Sequence, residues 1–595
     1  MPRPIPIGVD DFRTLRERGM EYVDKSHLIR EILDKGAQAL LLPRPRRFGK
    51  TLAMTMLRCF FEKQDHDLTP LFADLAIWHS GERYRAHFQR YPVIFLTLKG
   101  IKLETFELAW DVIRKRLAGL FAEHRALLDS GRMTDEEVRR YRQVLDGSAE
   151  LSAYADALLD LSNYLHRVHG EKVVILIDEY DAPIHAGVAG GYLREVLDFF
   201  RLFLTQGLKG NPHLFKAVLT GILRVAKESI FSGLNNLAVY TLLRPDFATC
   251  FGFTEPEVMA LLERVGRRGR MDAVRAWYNG YVFGGEVIYN PWSIINYIDG
   301  AESEPRPFWV STSANELVRE SLVRHAATAH DDIAALLEGR GVLRRLDENV
   351  ALSDLDTRAD TLFGLLTFSG YLKADKRVVD PEDEPHYLLT IPNREVKRVY
   401  TSTFREWMTD RMGGESAMER LKRALVEGDA EALEDELSAF TGNVLSYYDF
   451  PAGRDFPAGR DFPAGRDFPA GRDFPAGRDA GAGRDASPRP EQVYHAFVIG
   501  LLAALDADYE VRSNRESGEG RPDVMLRPKQ PGRAGVVLEL KVARAGRKTL
   551  EQALSEGLDQ IRDRDYGREL RAAGVSPVHG FAVAFDGKQV RVAGA

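Results

Sequence analysis

Apolar residues follow two rhythms along this chain. Short, nearly continuous apolar runs occur at Ala39–Leu42, Pro92–Leu98, Val173–Ile177 and Leu214–Gly221, and such runs suit buried strands. Between them the spacing turns helical: Leu28, Ile29, Ile32 and Leu33 before the first run, then Leu52, Met56, Cys59 and Phe60 after it. Two long amphipathic stretches, 103–126 and 134–166, follow the second run. Asp24 or Ser26 is placed to cap the first of these helices. The pattern predicts an α/β fold with a parallel sheet.

The link between the first strand and its helix carries chemistry. It ends in Gly49-Lys50-Thr51, where a P-loop belongs: glycine lets the backbone approach phosphate, lysine reaches the β/γ-phosphates and the threonine hydroxyl ligates Mg²⁺. The motif wants a glycine where this chain has Arg44, and Pro45 removes an amide. Arg44, Arg46 and Arg47 would offset this with guanidinium charge. The other reading makes GKT a chance tripeptide in a solvated basic turn.

Val173–Ile177 runs into Asp178-Glu179-Tyr180-Asp181. A carboxylate pair at the C-terminal end of a buried parallel strand lies where an open α/β sheet binds ligands. In a Walker B reading Asp178 holds Mg²⁺ and Glu179 orients or deprotonates the attacking water; the alternative is an acidic pair that ends a strand. The next strand closes on Thr220, with Arg224 just beyond, candidates for sensing the γ-phosphate. Together these residues predict ATP with Mg²⁺.

From 246 to about 400 aromatic residues recur, including Trp277, Tyr278, Tyr281, Tyr289, Trp292 and Trp309. This suits a helical or winged lid whose aromatics are core; a nucleic-acid recognition surface is the alternative. Helices are expected from roughly 395 to 443. The hexapeptide DFPAGR then begins at Asp449, Asp455, Asp461, Asp467 and Asp473. A proline every sixth residue forbids a helix, and alternating Asp and Arg keep the segment neutral and solvated. An extended linker results, too short in period for a solenoid.

Beyond it, Glu491 to Leu501 has a helical stripe, with Glu491 and His495 on one face. Strand alternation in Val536–Lys541 puts Glu539 and Lys541 on the same side, and Asp523 in the preceding strand can meet them across a hairpin. Two carboxylates and a lysine at one point are what Mg²⁺-dependent phosphodiester hydrolysis needs. The same residues on an exposed strand face would do nothing.

Composition narrows the setting. In 595 residues, 44% are hydrophobic and the net charge is -7, so contact with DNA or RNA must rest on local patches. At about 150 residues per domain the chain holds three or four units. Only Cys59 and Cys250 are present, which fits a reducing compartment. No segment approaches about 18 uninterrupted apolar residues, and the N-terminus has no apolar leader core. A cytoplasmic protein without a membrane segment is expected.

PRRFGKT (Pro45 to Thr51), LIDEYDAPI (Leu176 to Ile184), LTGILRVAKESIFSGLNNL (Leu219 to Leu237) and YNPWSIINYI (Tyr289 to Ile298) resemble the bacterial AAA-ATPase-like proteins with a C-terminal PD-(D/E)xK nuclease-like domain. The resemblance implies that an arginine-rich loop lacking the first glycine is normal. It also implies that Glu491, Asp523 and Glu539 are metal ligands with Lys541 beside them, and that Gln560 and Tyr566 lie on the following helix. The expected architecture is a P-loop NTPase core with a helical or winged lid and a separate small α/β nuclease-like domain. Its boundaries are 1–245 for the ATPase-like domain, 246–448 for the lid, 449–490 for the linker and 491–595 for the nuclease-like domain. The expected partners are ATP and DNA or RNA, with a homo-oligomer left open. The competing reading is a nucleotide-switched binding module without cleavage.

Overall fold

The computed structural model describes residues 3–224, 234, 236–300, 304–309, 318, 321–322, 329–348, 359–379, 385–448, 500, 505, 508–513, 522–543, 548–586 and 589–595. The DFPAGR linker and Glu491 lie outside them. Two compact units are present: Met1–His325 with Asp331–Tyr400, and Ala326–His330 with Thr401–Ala595.

The first unit is built on five strands, β1 (Ala39–Pro43), β2 (Val93–Thr97), β3 (Val173–Asp178), β4 (Leu214–Gly221) and β5 (Leu237–Val239). They pair in parallel in the order β2-β3-β4-β1-β5. Every residue of β1 and β3 is buried, the consequence of helices on both faces and the reason these strands read as unbroken apolar runs. The β4 strand lies between β1 and β3. Register sets Leu42 beside Thr220 and Ile177 beside Leu219, so the C-terminal ends of β1, β3 and β4 form one row.

Helix boundaries depart from the sequence reading in two places. The stretch 134–166 is two helices, Asp135–Asp146 and Leu151–His169, because Gly147 turns left-handed at φ 80° and closes the first. Helix His27–Asp34 has no side-chain cap. Asp24 accepts instead from Ser26 N at 2.8 Å, and Ser26 Oγ accepts from Ile77 N at 3.0 Å.

After the parallel sheet come two small antiparallel sheets. One holds β6 (Phe253–Thr254), β7 (Tyr281–Phe283) and β8 (Glu286–Tyr289), the other β9 (Val342–Arg345), β10 (Lys373–Val379) and β11 (Pro385–Thr390). Several aromatics of this region are core: Tyr278, Tyr289 and Tyr297 pack with Val258, Leu261 and Ile294, while Trp277 and Trp292 are half-buried.

The second unit holds a five-stranded sheet of β12 (Tyr509–Ser513), β13 (Val524–Pro528), β14 (Gly535–Val542), β15 (Val578–Asp586) and β16 (Gln589–Gly594) in sequential order. Only the β14–β15 pair is parallel, and helix Leu550–Asp563 makes the crossover that parallel pairing demands. A core of Met525, Val537, Ile561, Tyr566, Leu570 and Ala582 joins helix to sheet. Helix Ala430–Tyr448 covers the edge strand β16: Glu434 accepts from Arg591 Nη1 at 2.6 Å and from Val592 N at 2.8 Å. An edge strand left bare would be a template for unwanted pairing. This helix lies in the segment that sequence reading gives to the lid.

Candidate functional site

Gly49 opens helix Lys50–Phe61 at φ 82°, a left-handed conformation that glycine adopts without strain. The loop before it is wound tightly enough for Lys50 Nζ to donate to the carbonyls of both Arg44 and Pro45 at 2.9 Å. Burial lowers the pKa of this ammonium, against the pull of Glu179, Asp181 and Asp178.

At the second residue of the helix, the Thr51 hydroxyl donates to Asp178 Oδ2 at 2.7 Å, and the Thr220 hydroxyl donates to Asp178 Oδ1 at 2.6 Å. Two strand ends and the start of a helix thereby meet on one fully buried carboxylate. Hydroxyl and carboxylate oxygens are hard donors suited to Mg²⁺, and lysine with a helix N-terminus suits polyphosphate. The residues present fit both groups. Glu179 follows in a left-handed conformation, φ 54°, which is costly for a residue with a Cβ and concentrates at functional sites. Burial raises its pKa while Lys50 opposes the rise.

Two neighbours that sequence reading passed over hold this arrangement. Asp181 accepts from Ile222 N at 2.7 Å and Leu223 N at 3.0 Å, and Tyr180 donates to Leu223 O at 2.6 Å. Burial works against the Asp181 charge, yet His185 and these amides outweigh it and the carboxyl ends below its usual range. A Cβ on Gly221 would come within 2.7 Å of both side chains, so only glycine passes there. The DEYD segment thus supplies the carboxylates and also fixes the turn that follows Thr220. Arg224 ends that turn, its Nε buried with no hydrogen-bond partner among the described residues.

The arginines divide. Arg44, read from sequence as added charge for phosphate, instead points into the interior. It is fully buried and donates to the carbonyls of Pro43 at 2.7 Å, Tyr240 at 2.7 Å and Phe247 at 3.0 Å, with Phe251 and Phe283 beside it. Desolvation lowers its pKa to about 10. Arg44→Met should strip a donor from each of these three carbonyls and lower stability by about 3 kcal/mol, read as the urea midpoint of the unfolding transition. An unchanged midpoint would return Arg44 to the ligand.

Arg47 lies 4.0 Å from the Trp292 ring centroid and donates to Phe308 O at 3.3 Å, while the Arg46 carbonyl accepts from Trp309 Nε1 at 3.4 Å. Phe48 packs against Tyr281 and Phe283. Behind them Glu395 accepts from Trp309 N at 2.6 Å and Ser293 Oγ at 2.8 Å. No sequence spacing ties Glu395 to the loop. Burial pushes its carboxyl up to about 7, with the hydrogen bonds and Arg47 resisting.

A carboxyl raised in the folded state favours folding fully below its unfolded value, and that contribution disappears as pH rises through 7. Glu395→Gln should therefore match wild type at pH 5. At pH 8 it should be more stable by up to about 3 kcal/mol, measured by thermal melts across that range. Parallel pH profiles for the two proteins would refute it.

In the second unit, antiparallel register pairs Val524 with Leu538, which brings Asp523 beside Glu539. Asp523 Oδ2 accepts from Leu540 N at 2.7 Å. Lys541 Nζ donates to Glu539 Oε1 at 2.8 Å and also to Gln560 from the crossover helix. Glu539 is buried, and its Oε2 has no hydrogen-bond partner among the described residues. Burial first, and Asp523 second, raise its pKa against Lys541. A buried carboxylate oxygen without a partner is costly, and a divalent cation would satisfy it. Tyr566 is fully buried close by.

The two folds define an α/β unit on a parallel sheet followed by a small α/β unit with a carboxylate–lysine centre. Residues 6–231 match the family model of a predicted AAA-ATPase, and residues 489–594 match the PD-(D/E)XK nuclease superfamily. The chain carries an AAA-ATPase-like domain and, at its C-terminus, a PD-(D/E)XK nuclease superfamily domain. The β5 strand, at Leu237–Val239, extends the parallel sheet past the matched span. An "uncharacterized protein in vnfD 5'region" of Azotobacter chroococcum mcd 1 is 28% identical over 397 residues, 66% of this chain and 68% of that protein. No helix among the described residues is long and apolar enough to cross a membrane.

Proposed function

We propose that this protein binds and hydrolyses ATP at its N-terminal site and cleaves phosphodiester bonds in DNA or RNA at its C-terminal site, the first activity governing the second. Lys50 and the amides at the start of its helix hold the phosphates, with Arg46 and Arg224 as further contacts. Thr51 and Asp178 hold Mg²⁺. Glu179 orients the attacking water and Thr220 reads the state of the γ-phosphate through Asp178.

At the second site Asp523 and Glu539, with Glu491 as a third carboxylate, hold Mg²⁺, which supplies Lewis-acid stabilisation of phosphoryl charge. Lys541 positions the water, and Gln560 orients Lys541. The observation that carries the reading is the buried Oε2 of Glu539, beside Asp523 and Lys541 and without a hydrogen-bond partner among the described residues.

The test is cleavage of supercoiled plasmid, single-stranded DNA and RNA with Mg²⁺, with and without ATP, by wild type and Lys50→Ala. Cleavage that requires Mg²⁺ and changes rate in Lys50→Ala supports an ATP-governed nuclease. No cleavage of any substrate removes it. A second reading, a nucleotide-switched binding protein, is favoured by Lys50 Nζ lying on the carbonyls of Arg44 and Pro45, a loop that nucleotide would have to rearrange. Saturable ATP binding without turnover would select it.

A further inference from the structure

Away from both sites, three side chains of different ligand types converge. His27 and Glu31 stand one turn apart on helix His27–Asp34, and Cys250 approaches from the segment before β6; one donor atom from each lies within 4.8 Å of the others. Among the described residues this is the one such group of three. The surroundings orient it: Glu31 Oε2 accepts from Phe247 N at 3.0 Å, and the Cys250 thiol hydrogen-bonds Glu31. His27 Nε2 meets the Thr249 hydroxyl at 3.4 Å. Metal-binding imidazoles and carboxylates are commonly fixed by such partners.

We propose that His27, Glu31 and Cys250 form a zinc site that braces the scaffold behind the nucleotide loop. The mixture of nitrogen, oxygen and sulfur donors suits Zn²⁺ and not Mg²⁺ or Ca²⁺, and three protein ligands leave a fourth tetrahedral position for water. Binding breaks the S–H bond of Cys250, whose proton passes to solvent as the thiolate takes the metal. One Zn²⁺ with one thiolate and one carboxylate is neutral overall. Neutrality matters here, since Arg44 and Lys25 are close enough to act on Cys250. The ion would tie the helix leading into β1 to a segment that touches the loop twice: Phe247 O accepts from Arg44, and Gly252 N donates to Phe48 O at 3.2 Å.

Full-length protein, reduced and stripped of metal by a chelator, is titrated with Co²⁺. A thiolate-to-cobalt charge-transfer band is expected, saturating at one ion per chain and erased by Zn²⁺. Neither the P-loop site nor the nuclease site offers a thiol, so the band reports this site even if Co²⁺ also enters those. Cys59 is the one other cysteine: Cys59→Ala should keep the band, Cys250→Ser should lose it, and His27→Ala should weaken Co²⁺ affinity at least tenfold. The absence of the band in wild type overturns the proposal, whatever the variants do. Survival of the band in Cys250→Ser overturns it as well.

Discussion

Glu539→Gln should lower Mg²⁺-dependent cleavage at least about a hundredfold and at the same time make the C-terminal unit harder to unfold. The two effects have one cause. Glu539 is buried, its pKa is raised by desolvation and by Asp523, and its Oε2 has no partner among the described residues. A neutral amide removes the buried charge while keeping an acceptor for Lys541. A structural carboxylate would behave in the opposite way, losing stability on substitution and leaving cleavage alone. Asp523→Asn is the companion variant, since its side-chain carbonyl can still accept from Leu540 N while the charge that holds a cation is gone. Cleavage assays beside urea melts check both. Retained cleavage in Glu539→Gln would remove this site from the chemistry, and a destabilised Glu539→Gln would show that the buried charge is well paired.

Much of this was legible in the chain, for physical reasons. Strands buried on both faces leave unbroken apolar runs, so β1, β3 and β4 announce themselves, and Lys50, Thr51, Asp178, Glu179 and Thr220 sit at ends that parallel pairing must bring together. The alternation of Val536–Lys541 likewise fixes Glu539 and Lys541 on one face. Arg44 departs from its sequence reading because a charged residue beside a phosphate motif suggests solvent and ligand, whereas the neighbouring Pro43 carbonyl and two carbonyls from a distant segment take up its guanidinium. Such acceptors have no sequence signature. The same holds for Glu395 behind Trp309, and for Asp181, whose partners lie on the next strand's turn. The helix over β16 falls in the segment read from sequence as lid, and its contact with that strand is not legible there, because amphipathic spacing states that a face is buried but not against what.

Lys50→Ala and Glu179→Gln should fail in different ways, and the difference decides what the N-terminal site does. Lys50 Nζ is placed to trade the carbonyls of Arg44 and Pro45 for phosphate oxygens. Its removal should therefore weaken ATP binding and lower turnover by about 10²–10³. Glu179 acts on the loop through its charge beside Lys50, and its left-handed backbone places a carboxylate just past the Asp178 carboxylate that Thr51 and Thr220 hold. Glu179→Gln should bind ATP nearly as wild type does while phosphate release falls by a similar factor. Because its pKa is raised by burial, wild-type turnover should increase with pH as Glu179 ionises, and the residual turnover of Glu179→Gln should lack that rise. Equilibrium binding of a fluorescent ATP analogue and steady-state phosphate release separate the two variants. Should wild type bind ATP and release no phosphate, while Lys50→Ala still loses binding, the site is a switch whose two states are bound and empty. Control of the nuclease would then follow nucleotide occupancy and not hydrolysis.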